Sequence, residues 1–170
     1  MKYALSVAFV LALAGACTTP AIGTKHLPYT NPIPEAVPYI GYHEQTHRKE
    51  LKDLVGVDPV YTQWCAAFVN AVLYESNIEN NEAHAYPLTA RSFLDWGFEV
   101  KSPIPGDIVV FPRGRQAWQG HVGFYLKTVI INDQEYYLIL GGNQNNEVSI
   151  KTYLADRAIS IRRQSEAKFI

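Results

Sequence analysis

What this sequence lacks narrows its function first. Two cysteines in 170 residues cannot build a disulfide scaffold. A formal net charge of -1, with no Lys/Arg-rich run, argues against a nucleic-acid binder. The one long apolar stretch, Leu5 to Ala14, is too short for a stable membrane span. There is no internal repeat and no GxSxG elbow, and Gly141-Gly142-Asn143 lacks the lysine of a phosphate loop. What is present is ordinary for a globular core: 48% hydrophobic residues, too many for a disordered chain, in a length that suits one domain.

The two cysteines fall in different contexts. Residues 1–16 read as a signal peptide, with Lys2 as the basic n-region and Leu5 to Ala14 as the apolar h-region. The segment ends Leu13-Ala14-Gly15-Ala16-Cys17, which resembles the lipobox of bacterial lipoproteins. That resemblance implies cleavage before Cys17 and lipidation of Cys17. The acyl chains would anchor the protein to a membrane without a spanning helix. Thr18 after the cysteine, in place of Asp, points to the periplasmic face of the outer membrane. Without lipidation the expectation is a secreted protein. Cys65 is then the sole free thiol of an exported chain.

Residues 18–40 carry five prolines and read as an extended, non-helical tether, so 17–41 is assigned to the lipidated cysteine and its linker. The domain is expected over 42–170. A helix is predicted over 43–54 with Gly56 as its cap, and another over 63–77 on the apolar spacing of Cys65, Phe68, Val69, Val72 and Leu73. Thr89 to Trp96 suits a short helix stopped by Gly97. The period then changes. Strands are predicted at 108–111, 120–131, 136–143, 148–151 and 159–162, with a turn over 132–134. Helices followed by an antiparallel meander make an α+β fold.

Three residues carry candidate chemistry. Cys65 falls in the first turn of the second helix, where unpaired N–H groups and the helix dipole favour a thiolate. The same position also suits a small buried core residue. His121, between Gly120 and Gly123, is either a general base approached over the glycines or a half-exposed strand histidine. A three-residue loop over 132–134 would pair residue 143 with 123. Asn143 would then lie on the His121 face, where its amide oxygen could accept the imidazole N–H. Its alternative is an Asn-rich turn with Asn145 and Asn146.

Taken together, the strings TQWCAAFVNAV, ARSFLDWG (90–97), PGDIVVF (105–111), GHVGFYL (120–126) and GGNQ (141–144) resemble, in order, the CHAP and NlpC-type cell-wall peptidases. The resemblance spans about residues 42–163. It implies a papain-like fold, with Cys65 as nucleophile, His121 as general base and acid, and Asn143 as orienter. The family's usual proline before Trp-Cys is Gln63 here, and Gly141 stands where many members have Glu. The backbone N–H of Cys65 is one natural oxyanion donor, with Gln63 or Tyr61 as sources of the second. Trp64, Trp118, Tyr125 and Tyr61 either line the cleft or pack the core.

One rival motif is His43-Glu44-Gln45-Thr46-His47, an HExxH that on a helix would grip zinc with Glu44 as base. The other rival is an inactive fold that binds peptidoglycan or an envelope partner. The leading expectation is a monomeric, cofactor-free and metal-free cysteine amidohydrolase or endopeptidase of peptidoglycan, acting through a thioester.

Overall fold

The computed structural model describes residues 29–165, so the signal peptide over 1–16 and the lipidation site at Cys17 lie outside the described residues. The proline-rich run does not remain extended to residue 40. Helix α1 occupies Ile33–Ala36, and a 3-10 turn follows over Val37–Tyr39. Proline is compatible with a helix start because its missing N–H would be unpaired there. Pro32 is the N-cap, and the Asn31 side chain accepts the Ile33 N–H at 3.1 Å. Ala36 is fully buried, and the Tyr29 hydroxyl donates to the Pro105 carbonyl at 2.7 Å. The packed structure therefore begins ahead of the expected start near Tyr42.

Helix α2 spans Arg48–Val55, burying Leu51 and Val55 and ending at Gly56 in a left-handed conformation, φ 71°. It starts later than predicted because residues 43–47 form turns. His43 bridges to Glu147 in antiparallel fashion, and the Glu44 N–H donates to the Asn146 carbonyl at 2.8 Å. Helix α3 spans Cys65–Glu75 and is buried around most of its circumference. Residues 90–95 form a 3-10 rather than an α-helix, and the Thr89 hydroxyl donates back to Tyr86 instead of capping it.

The strands form one antiparallel sheet in the order β1-β6-β2-β3-β4-β5. They are β1 Phe98–Glu99, β2 Ile108–Pro112, β3 Gly120–Ile131, β4 Gln134–Gly141, β5 Ser149–Leu154 and β6 Ser160–Arg163. The fold is α+β. Alternation divides the sheet into two faces. Ile108, Val110, Val122, Phe124 and Leu140 pack against Phe68, Val72 and Leu73 of α3. Val109, Phe111, Tyr125, Ile139 and Ile161 form a smaller cluster on the other face. Full burial of each such side chain contributes about 1.5–3 kcal/mol.

One buried ion pair pins the sheet edge. Arg163 donates Nε–H to Asp107 Oδ1 at 2.8 Å and Nη2–H to Oδ2 at 2.7 Å, and Asp107 also accepts the Ile104 N–H. The Asp107 side chain is fully buried, and its carboxylate raises the Arg163 pKa.

Candidate active site

The hairpin of β3 and β4 sets the site. Its turn holds two residues, Asn132 and Asp133, both at positive φ (49° and 59°), the backbone a tight hairpin needs. Ile131 therefore pairs with Gln134, not Glu135. A bulge between Tyr125 and Lys127 moves the register once more, so Phe124 pairs with Leu140. Each departure moves the pairing by one residue in the same direction. Continuing the register puts Gly141, not Asn143, opposite Gly123. Asn143 lies past the end of β4 at φ 55°.

This displacement changes Asn143's partner. Its Nδ2–H donates to Gln63 Oε1 at 3.1 Å, and the amide oxygen does not accept from His121. The acceptor for His121 is Gln144, whose Oε1 lies 3.2 Å from the imidazole Nε2. The surroundings of Gln144 fix which way its amide faces. Its Nε2 donates to the carbonyls of Ile139, Gly141 and Ser149, so Oε1 must be the atom turned to the ring. Oε1 also accepts the Tyr153 hydroxyl at 2.8 Å. An acceptor there requires the proton on Nε2, which leaves Nδ1 as the bare, basic nitrogen.

His121 is 1% exposed, and its Nδ1 is a buried nitrogen without a hydrogen-bond partner. Tyr153 stacks on the ring at 5.3 Å between centroids, with Phe111 stacked on Tyr153 beyond. Burial, and then the charge of Arg113, push the imidazole pKa down to about 3, against the opposing bond to Gln144. The ring is therefore neutral at pH 7.

Cys65 is the first residue of α3 and is 3% exposed. Burial raises its thiol pKa, opposed by the Arg113 charge and by the backbone N–H groups of Val122, Ala66 and Cys65 itself. The sulfur thus lies against the amide of the residue that follows His121. This approach depends on Gly142. A Cβ there would stand 2.5 Å from the Trp64 ring and 2.7 Å from Phe68 Cβ, so only glycine lets the start of α3 press on the end of β4.

The other predicted residues separate. Trp64 is fully buried and donates its indole N–H to Glu44 Oε2 at 3.2 Å, which makes it core rather than a substrate contact. Tyr125 is likewise buried. Tyr61 is 80% exposed with its ring 5.1 Å from the Arg48 guanidinium carbon. Trp118 is exposed as well. Gln63 is exposed beside Cys65, its oxygen held by Asn143. The HExxH segment is a turn and not a helix. His43 Nδ1 accepts from Gln45 N–H, His47 Nδ1 accepts from His43 N–H, and Glu44 is bound to Trp64.

Two residues were missed from sequence. Gln144 was overlooked because its role depends on the bulge. Arg113 carries no motif, yet its charge acts on Cys65, His121 and Tyr153, and its Nη2–H donates to the Asn143 carbonyl at 3.2 Å.

No curated protein matches the chain. The profile of the CHAP domain family matches residues 57–143, just over half of the chain, a span that runs from before Cys65 through His121 to Asn143. The chain belongs to the CHAP domain family.

Proposed function

We propose that the protein is a peptidoglycan amidase or endopeptidase with Cys65 as nucleophile and His121 as base and acid. CHAP domains are usually hydrolases of peptidoglycan, and the observation that carries the assignment is the bare, buried Nδ1 of His121, whose chain neighbour Val122 has its amide acting on the Cys65 thiol. The resting pair is a neutral thiol and a neutral imidazole. As the sulfur attacks the amide carbon, Nδ1 takes the thiol proton, and a tetrahedral oxyanion forms. The Cys65 N–H is one donor to it. The Gln63 amide is the other, with Asn143 holding its oxygen so that the NH2 end is free. His121 then returns the proton to the leaving nitrogen, and the C–N bond breaks to give a thioester. Water, losing a proton to Nδ1, hydrolyses the thioester and restores the thiol. Gln144 is a positioning residue that holds the tautomer throughout.

The lipobox-like end of the leader supports a protein lipidated at Cys17 and held at the periplasmic face of the outer membrane. Purified peptidoglycan incubated with the protein should yield soluble fragments whose masses define the amide cut, and Cys65→Ala should yield none. Cell-wall binding without any fragment would favour the inactive binding module instead. Products from the Cys65→Ala protein at the wild-type rate would sink the mechanism.

A further inference from the structure

A cavity of about 470 Å³ counts His121 among its lining residues. Its walls include Phe111, Tyr153 and Tyr136 together with two arginines, Arg113 and Arg157, and no Asp or Glu. Arg113 reaches in from the segment after β2, and Arg157 from the 3-10 turn that follows β5. Among the described residues neither guanidinium forms an ion pair with a carboxylate. Arg48 and Arg163, by contrast, pair with Asp58 and Asp107. Arg113 uses Nη2 on the Asn143 carbonyl and keeps further N–H donors.

Two cations line one cavity without a protein anion on its walls, and the Arg113 charge disfavours the cationic form of the neighbouring His121. An incoming anion would supply the missing counter-charge. The planar guanidinium fork matches a carboxylate best. The aromatic walls put low-dielectric surface beside the arginines and strengthen such a pairing.

We propose that Arg113 and Arg157 form a carboxylate-binding subsite bordering His121, so that the protein selects peptides with a free carboxylate close to the scissile amide over their carboxamide forms. This rests on the hydrolase reading above for its place in a reaction, but binding tests it separately. The probes are an N-acetylmuramoyl stem tripeptide with free carboxylates and the same molecule with each carboxylate converted to a carboxamide. Calorimetric titration into the Cys65→Ala protein should show the acid binding tighter by about tenfold or more, from charge-assisted bonds in a partly desolvated site. That preference should shrink as salt is raised.

Arg157→Gln in the Cys65→Ala background should abolish most of the preference, and Arg157→Lys should restore part of it. Arg157 is exposed, so its replacement leaves the fold intact. Arg113→Gln should act in the same direction. Equal affinity for acid and amide, binding of neither, or a preference that survives both Gln substitutions would overturn the subsite. The hydrolase reading fails differently: the wild-type protein would cleave neither probe nor intact peptidoglycan, while the Cys65→Ala protein could still discriminate between acid and amide. Conversely, equal cleavage and equal binding of both probes would leave the hydrolase and remove the subsite.

Discussion

His121 and Gln144 are joined through Nε2–H and Oε1 at 3.2 Å, and the three carbonyls that hold the other end of the Gln144 amide leave no alternative orientation. The consequence for chemistry is that one buried glutamine decides which imidazole nitrogen is basic. Gln144→Ala should lower kcat/KM for peptidoglycan cleavage by about 10²-fold or more, the scale of a misplaced general base. It should also move the pH profile, because the bond to Gln144 is what favours the protonated ring. Asn143→Ala should act through Gln63 instead and leave the pH profile where it is. Equal profiles for the two variants would remove Gln144 from the positioning role.

Cys65 should be a slow thiol in the resting protein. Its burial raises the pKa, and a neutral imidazole offers no positive charge to hold a thiolate. Alkylation by iodoacetamide, followed by mass spectrometry, should be slower at pH 7 than in the denatured chain. It should accelerate as pH rises past the ordinary thiol range of about 8.5. Rapid alkylation at pH 5 would instead reveal a standing thiolate–imidazolium pair and contradict this prediction.

The depressed His121 pKa makes stability depend on pH. The unfolded chain binds a proton near pH 6.5, whereas the folded ring binds one only near pH 3. The stabilising contribution is therefore complete above about pH 6.5, declines as pH falls, and is gone below about pH 3. Urea denaturation between pH 7 and pH 4 should show a loss approaching about 1.4 kcal/mol per pH unit from this group. The same series on His121→Gln should lack that component. Identical slopes would show that the imidazole is not kept neutral by the fold.

Asp107 tests the sheet edge independently of catalysis. Asp107→Ala leaves Arg163 without its bidentate partner and the Ile104 N–H without its acceptor, and should destabilise the domain by about 3 kcal/mol or more. Denaturant midpoints at neutral pH measure this. Asp107→Asn, which keeps an acceptor and the volume, should lose less.

The parts of this molecule that were legible in sequence are those governed by local pattern. The bounds of β3, Gly120 to Ile131, follow from alternation and from the Asn-Asp step after it. Gly56 stops α2 as expected, and Cys65 opens α3. The failures at the site were those of pairing. Nothing in Tyr125-Leu126-Lys127 announces a bulge, since no glycine marks it, and the choice between a two-residue and a three-residue turn at 132–134 is a matter of backbone twist. The two errors together displaced Asn143 by two residues while preserving face parity. The predicted face was right, but Gly141 occupies it in place of Asn143. The HExxH match misled for a different reason: its helix start is displaced by backbone pairing to Glu147, a contact about a hundred residues away in sequence that no local pattern encodes.

The bulge in β3 also has a mechanical consequence. It separates the hairpin into an inner half, buried and tied to the site, and an outer half whose residues Ile130 to Glu135 are largely exposed. Extra residues can be absorbed at such a point without propagating inward. The same arm is a natural place to splice in an affinity tag or a fluorophore, where a change of strand length is dissipated before it reaches the thiol.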